Sequence, residues 1–145
     1  MSAAERLYTP ELLALAVDLA RWPRLGEAAL SGDARSPTCG STLAMDLALD
    51  GNGRIVGLGM AVRACAVGQA SAAIFARHAG GRSEAEVAET LQQIEAWLTD
   101  SGPRPDWPQI ELIERAREYP ARHGAILLPW KAAMAAFGAA TPQNR

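Results

Sequence analysis

The stretch "CGSTLAMDLALDGNGRIVGLGMAVRAC", residues 39–65, predicts a β-hairpin that begins and ends at the two cysteines of the chain. Apolar residues alternate with small or polar ones on both sides of the central "DGNG", residues 50–53, and such alternation is typical of strands with one buried face. A segment rich in Gly and Asn between two alternating runs is a strong hairpin signal. We therefore expect two antiparallel strands, one over residues 39–49 and one over residues 54–62.

Matching the apolar faces predicts the register of this hairpin, because a slip of one residue would turn every apolar side chain to the wrong face. If residues 50–53 form the loop, the apolar residues pair as follows: Leu47 with Val56, Met45 with Leu58, Leu43 with Met60. Continued outward, this register sets Ser41 opposite Val62 and Cys39 opposite Ala64, beside Cys65. Strict alternation turns Cys65 to the other face, so the chain has to bend there for the two sulfurs to converge.

The remaining segments predict helices on both sides of the hairpin and one further strand. The expected elements are a helix capped by Thr9 and running to about Arg21, a short strand over 27–34, helices over 67–78 and from Ser83 onward, a short helix over 110–117 and a last helix that begins near Pro120. The fold class is therefore α+β, a small antiparallel three-stranded sheet packed against helices. We expect one domain over residues 1–138 and a flexible tail over residues 139–145.

Length, charge and composition limit the classes of function. A chain of 145 residues is long enough for one domain with its own core. The net charge of -2 gives no reason to expect nucleic acid or an anionic membrane as a partner. The apolar runs are too short to span a bilayer, and the N-terminal region reads as a helix with acidic residues, not as an export signal. We therefore expect a cytoplasmic protein whose thiols are reduced.

The two cysteines are the residues with the most evident chemistry. Cys65 directly precedes a predicted helix start, where the partial positive charge of the helix favours a thiolate. A thiolate is what a soft metal, an iron–sulfur cluster or a sulfur-transfer reaction requires. Cys39 and Cys65 are too far apart in the sequence for a local zinc or ferredoxin motif. Taken alone, the residues also fit two buried structural cysteines or a redox-active dithiol.

The order of these features resembles the iron–sulfur cluster assembly scaffold family, which comprises the NifU N-terminal, IscU and SufU proteins. Members of that family carry "CGD" at a first site, a cysteine before a helix rich in Ala and Ser at a second, and a third cysteine in the last helix. Here "CGS" stands at residues 39–41 and "CAVGQASAA" at residues 65–73. The segment "YPARHGAILLPW", residues 119–130, is similar to the SufU-type pattern "FPxRxxCxxLxW". The resemblance implies a SufU/IscU-like fold over nearly the whole chain.

The resemblance also implies the residues of the site. Cys39 and Cys65 match family metal ligands, and they would also be the sulfur acceptors. The aspartate of the family falls at Ser41, whose hydroxyl is a poor metal ligand at neutral pH because it keeps its proton. Aligned on Arg122, the third family cysteine falls at Ala125, which can bind nothing.

Three neighbours of these positions complete the predicted site. His123 is the candidate for a replacement metal ligand, since it lies two residues before Ala125. Within a regular helix that spacing would turn it away, so the prediction requires the helix to begin near Gly124. Ser41, Arg122 and Ala125 are expected to line the site.

By resemblance, the function would be that of a divergent scaffold-like protein that binds iron, zinc or a nascent Fe–S cluster, or accepts sulfur, through two cysteines. Its partners would be a cysteine desulfurase and other Fe–S assembly proteins. Two alternatives remain open: a metal-free adaptor that binds the desulfurase, and a redox-active dithiol protein. We expect no enzyme with its own active site, because the sequence shows no Ser–His–acid set, phosphate loop or paired carboxylates at a recognisable spacing.

Overall fold

A computed structural model describes residues 7–27 and 29–139 of the chain. Its α-helices are α1 (Pro10–Val17), α2 (Ala66–His78), α3 (Glu84–Leu98) and α4 (His123–Gly138). Its strands are β1 (Leu30–Arg35), β2 (Thr42–Leu49) and β3 (Ile55–Arg63), and short 3-10 helices cover Asp18–Arg21, Ile110–Glu118 and Pro120–Arg122. The predicted tail lies outside the described residues, except for Ala139 at the end of α4.

The three strands form one antiparallel sheet in the order β1-β2-β3. The predicted α+β class with a three-stranded antiparallel sheet is therefore confirmed. The strand expected over residues 27–34 is β1, which begins at Leu30. None of the helices in the described part of the chain is long and apolar enough to cross a membrane.

The predicted register of the β2–β3 hairpin is wrong by two residues. The apolar pairs that the structure shows are Leu47 with Leu58, Met45 with Met60 and Leu43 with Val62. Because the shift is an even number of residues beyond the bulge, Leu58, Met60 and Val62 keep their predicted face. At the bulge the prediction is wrong: Val56, expected on the core face, is 65% exposed, and Ile55 is buried instead. On the core face of β2, Leu43, Met45 and Leu47 are fully buried, although their partners across the ladder differ from those predicted.

The loop and a bulge together cause this shift. Arg54 belongs to the loop, because the Asp50 carboxylate accepts a hydrogen bond from its backbone N–H at 3.0 Å and the first ladder pair is Leu49 with Ile55. The ladder is then irregular between Ala48 and Leu49, where β3 gains one extra residue. Each feature moves the register by one position, and neither can be read from the alternation of apolar residues.

Helix α4 is the centre of the helical layer. It packs against β1 and β2 on one side and against α2 and α3 on the other. Its approach to the sheet is closest at Gly32, where a Cβ atom would lie 2.2 Å from the backbone nitrogen of Ala136. A side chain therefore does not fit between β1 and α4 at this position.

The outer face of the sheet, opposite α4, is partly covered by residues 22–25. Asp46 on β2 is 2% exposed beneath this segment. Its carboxylate accepts hydrogen bonds from Arg24 at 2.7 and 2.8 Å, from the Leu25 backbone at 2.9 Å and from Ser31 at 2.6 Å. The hydrogen bonds of the Arg24 guanidinium hold the pKa of this carboxyl well below its usual range. The hydrogen bonds of Asp46 thus hold residues 22–25 against the outer face of the sheet.

We expect Asp46→Asn to lower the free energy of unfolding at pH 7 by about 2 kcal/mol, because an ionised acceptor is lost from a buried network. The folded pKa of Asp46 lies below the unfolded value, so its contribution is complete above about pH 3.9, the unfolded pKa, and is lost as the pH falls further. Urea unfolding of both proteins at pH 7 and pH 3 measures the difference, which should shrink at the lower pH. Asp33→Asn, an exposed change on the same face, is the control; an equal loss there would contradict the prediction.

We expect Gly32→Ala to destabilise the fold by roughly 1 to 3 kcal/mol, since the new methyl group overlaps the backbone of α4. Gly51→Ala is the matched control, because no atom lies within 4 Å of a Cβ placed there. Thermal unfolding followed by circular dichroism compares the two variants. Equal melting temperatures for both would mean that α4 does not lie against β1 as closely as the structure shows.

Candidate thiol site

Cys39 lies in a tight loop between β1 and β2. The alternation predicted that it would lie in a strand, and this prediction is wrong because β2 begins only at Thr42. Two backbone hydrogen bonds of 2.8 Å close the loop: Ser36 N–H donates to the Ser41 carbonyl, and Gly40 N–H donates to the Ser36 carbonyl. Gly40 has a φ of 75°, in the left-handed region that glycine adopts without a steric penalty. This backbone cannot continue a ladder, and it presents Cys39 at the surface.

Two buried hydroxyl groups hold the sulfur of Cys39. The thiol donates to Ser36 Oγ at 3.4 Å, and Ser41 Oγ lies 3.1 Å from the same sulfur. Both serines are buried, although Cys39 itself is exposed. The hydrogen bonds with Ser36 and then Ser41, together with the charge of Arg122, lower the pKa of the Cys39 thiol because they stabilise its thiolate.

Cys65 is the N-cap residue of α2, and its side chain makes no capping hydrogen bond. The helix starts at Ala66, one residue earlier than predicted, so the expected position of this cysteine just before the helix is confirmed. The sulfur lies near the positive end of the helix dipole. Cys65 is only partly buried and packs at the margin of the core.

The first turn of α4 touches both segments that carry the cysteines. At Gly124 a Cβ atom would lie 2.3 Å from Ser36 Oγ, so the loop of Cys39 rests directly on the backbone of α4. At Gly68, in the first turn of α2, a Cβ atom would lie 3.2 Å from the Cβ of Ala125. Two consecutive residues of α4 therefore join the Cys39 loop to the start of α2.

The strand register agrees with this arrangement. Thr42, three residues after Cys39, pairs with Arg63, which lies two residues before Cys65. Both cysteines are therefore at the same end of the hairpin, as the sequence predicted, despite the error in register.

The structure brings some of the predicted site residues to the cysteines and leaves others apart. Ser41 touches the sulfur of Cys39, and the charge of Arg122 acts on it. Ala125 is fully buried against the start of α2. His123 is the first residue of α4, and its Nε2 lies 2.8 Å from the Arg117 carbonyl oxygen.

The donor set around the two thiols is small. Among residues 7–27 and 29–139, no three side chains of His, Cys, Asp or Glu form a group that could hold a metal ion. His123 is thus not combined with the two cysteines in such a group. The structure offers two sulfur atoms and hydroxyl oxygens where the family pattern has four ligands.

Sequence reasoning missed Ser36 and Gly124. The Pro37 and Gly40 that flank the cysteine in "SPTCG" signal a turn, and a turn would have placed Ser36 at its first position. No local signal identifies Gly124, because its contact with Ser36 joins residues far apart in the chain.

We expect Ser36→Ala to raise the pKa of the Cys39 thiol, because a hydrogen bond that stabilises the thiolate is removed. The pH dependence of alkylation, measured in a Cys65→Ser background so that one thiol reacts, should shift its midpoint upward and slow the reaction at pH 7. Ser101→Ala, at an exposed serine outside the site, serves as the control. An unchanged midpoint in Ser36→Ala would show that the hydroxyl does not act on the sulfur.

Comparison with solved structures supports the resemblance. The chain matches a nitrogen-fixing NifU-like protein (N-terminal) from Brucella abortus with a TM-score of 0.83 and 28% identity, over 95% of this chain and 96% of the other. It also matches a protein from Fervidobacterium islandicum AW-1 described as an iron–sulfur cluster assembly scaffold for the SUF system, with a TM-score of 0.78 and 20% identity over 92% and 98%. No family model matches the sequence, and no curated protein matches it. The chain has the fold of the NifU-like and SufU-like scaffold proteins, and the resemblance predicted from its sequence is confirmed.

Proposed function

We propose that the protein is a scaffold-like component of iron–sulfur cluster assembly that accepts sulfur and holds cluster precursors through Cys39 and Cys65. The likeness to a SUF-system scaffold and to a NifU-like protein over nearly the full chain supports this role. The observation that carries the proposal is the Cys39 loop, in which an exposed cysteine has its sulfur held by two buried serine hydroxyls at the start of α4.

Sulfur acceptance needs a thiolate nucleophile that a partner can reach. The Cys39 thiolate attacks the outer sulfur of a donor persulfide, a new S–S bond forms on Cys39, and the S–S bond of the donor breaks. The donor leaves as a thiolate, so sulfur moves without net oxidation or reduction. When Cys39 is deprotonated, the hydroxyls of Ser36 and Ser41 can rotate to donate to its sulfur, which stabilises the thiolate.

The number of metal ligands near the thiols limits how iron or zinc could be held. A structural zinc site has four protein ligands, and the described residues near the thiols supply two. We therefore propose that iron, zinc or a nascent Fe–S cluster is held as cargo by the two sulfurs, with the other positions filled by water or by a partner. His123 remains a candidate third ligand, provided that its Nε2 leaves the Arg117 carbonyl.

The proposed partners follow from this chemistry. A cysteine desulfurase is the sulfur donor, and other Fe–S assembly proteins supply iron or receive the product. The thiols transfer sulfur that others mobilise, so the proposal includes no catalytic activity of the chain itself.

A metal-free adaptor is the second candidate function. Ser41 and Ala125 stand where the family pattern has metal ligands, and this observation favours an adaptor over a full scaffold. An adaptor would bind the desulfurase whether or not its cysteines are present.

Sulfur loading tests the main proposal. Protein purified without air is incubated with a cysteine desulfurase and L-cysteine, and intact-protein mass spectrometry counts the added sulfur atoms. We expect wild type to gain sulfur, Cys39→Ser to lose most of it because the accessible nucleophile is gone, and the Cys39→Ser, Cys65→Ser double variant to gain none. Wild type incubated without L-cysteine is the control.

Metal analysis of the same samples addresses the cargo. Iron or zinc that disappears in the double variant supports the two-sulfur site. Sulfur loading and metal content that are both unchanged in the double variant would contradict the proposal. Wild type that binds the desulfurase but gains no sulfur would instead favour the adaptor.

A further inference from the structure

Arg35 and Arg63 differ from the other arginines of the described chain. Neither makes a hydrogen bond, an ion pair or a ring contact with the described residues, whereas each of the other described arginines has such a contact. Both are exposed. A guanidinium prefers a planar acceptor that it can grip with two N–H groups, such as a carboxylate, and here two such groups are left unused.

The sheet aligns these two cations. Arg35 pairs with Thr42, and Thr42 pairs with Arg63, so the three residues form one row across the three strands. Directly opposed residues point to the same face of a sheet. Neighbouring strands lie about 4.8 Å apart, which puts the two arginine backbones about 10 Å from each other.

The row lies on the outer face, away from α4. Gly32 contacts α4, and alternation along β1 turns Arg35 to the opposite side. The covering segment at residues 22–25 lies towards the opposite end of the sheet, where Arg24 and Leu25 donate hydrogen bonds to Asp46. Between that segment and the arginine row, the outer face has one row formed by Asp33, Ala44 and Ala61, of which Asp33 and Ala61 are exposed.

This patch, which we call the arginine-flanked face and define as Arg35, Thr42, Ala44, Ala61 and Arg63, borders the thiol site. Arg35 directly precedes the loop that carries Cys39, and Arg63 lies two residues before Cys65. A molecule that rests on this face therefore has its edge beside both cysteines.

One carboxylate shares the outer face. Asp33 lies in the row next to Arg35, opposite Ala44, and its charge acts on Arg24. Asp33 repels an acidic ligand from the row that it shares with Ala44, and the two arginines attract the ligand at the cysteine end. The charges thus favour one position on the sheet, over the arginine row.

We propose that the arginine-flanked face is a docking surface for an acidic segment of a partner protein, which places that partner beside Cys39 and Cys65. The role of the partner in delivering sulfur rests on the proposed function, but the docking itself does not. Two carboxylates about 10 Å apart, each gripped by one arginine, match the spacing of the row.

The direct test is a titration of ¹⁵N-labelled protein, followed by NMR, with a synthetic peptide that has glutamate at every third residue and glycine elsewhere, since three extended residues span about 10 Å. We expect amide shifts to concentrate at the arginine-flanked face and the Cys39 loop. Binding should weaken with added salt, because ions in solution screen the attraction between the exposed arginines and the carboxylates of the peptide. Shifts spread over the whole surface would overturn the proposal.

A matched pair of variants measures the contribution of the two arginines. Arg35→Gln with Arg63→Gln should weaken peptide binding by about tenfold, the loss of two exposed charge pairs. Arg21→Gln with Arg104→Gln removes the same charge from other exposed positions and should change binding by less than about twofold. Equal losses in the two pairs, or tighter binding of a single-stranded oligonucleotide of equal charge, would overturn the proposal.

The cysteine variants separate this proposal from the proposed function. Cys39→Ser with Cys65→Ser should bind the peptide as wild type does, since no thiol takes part in docking. Wild type that binds the peptide but takes up no sulfur would support the docking surface and contradict the sulfur role.

Arg35→Gln with Arg63→Gln should also lose sulfur loading from the desulfurase while it keeps loading from inorganic polysulfide. Unchanged loading from the desulfurase would show that this partner does not use the face.

Discussion

The absence of a side chain at Gly124 and Gly68 is the constraint on which the thiol site depends. At Gly124 the backbone of α4 comes against the hydroxyl of Ser36, and at Gly68 the start of α2 comes against Ala125. A Cβ atom at Gly124 would overlap the Ser36 hydroxyl, and one at Gly68 would crowd Ala125 at 3.2 Å. The same helix packs on the sheet through Gly32, so its position is fixed at both ends. The two cysteine-bearing segments therefore share one rigid support, formed from consecutive residues of a helix whose other faces are buried in the core.

Sequence signals within one helical turn predicted the helices correctly. The features that were missed depend on contacts or hydrogen bonds that the local pattern does not encode. The capping box of Ser83 and Glu86 and the cap at Thr9 form as the sequence indicates, because each depends on residues within one helical turn. The hairpin register failed because it depends on a bulge and on the hydrogen bonds of Asp50, which alternation does not encode. Both cysteines were identified from the sequence, but the groups that hold Cys39 were found only in part, since the contact of Ser36 with α4 spans most of the chain.

Some arginines of the protein form ion pairs that stabilise the fold, and two others are available to bind a partner. Buried Asp46 uses Arg24 to fasten a loop to the sheet, and other arginines pair with carboxylates on the helical surface. Arg35 and Arg63, at the cysteine end of the sheet, have no such partner among the described residues. Under the proposed function, a partner needs a charged and unoccupied surface near the two thiols. The site combines a thiol held by two hydroxyls with cations beside it, and the described residues supply no ligand set that would close it around a permanent metal ion.

We infer that Cys39 and Cys65 form one site. Phenylarsine oxide is the direct probe of this, because its arsenic binds two thiols only when they can approach each other. Mass spectrometry of the native, reduced protein should show one arsenical per chain, and replacing either cysteine by serine should abolish this binding. A monofunctional alkylating reagent confirms that the remaining thiol is still reactive in each variant. Native protein that reacts with the monofunctional reagent at both thiols but does not retain the arsenical would show that the two sulfurs do not share a site.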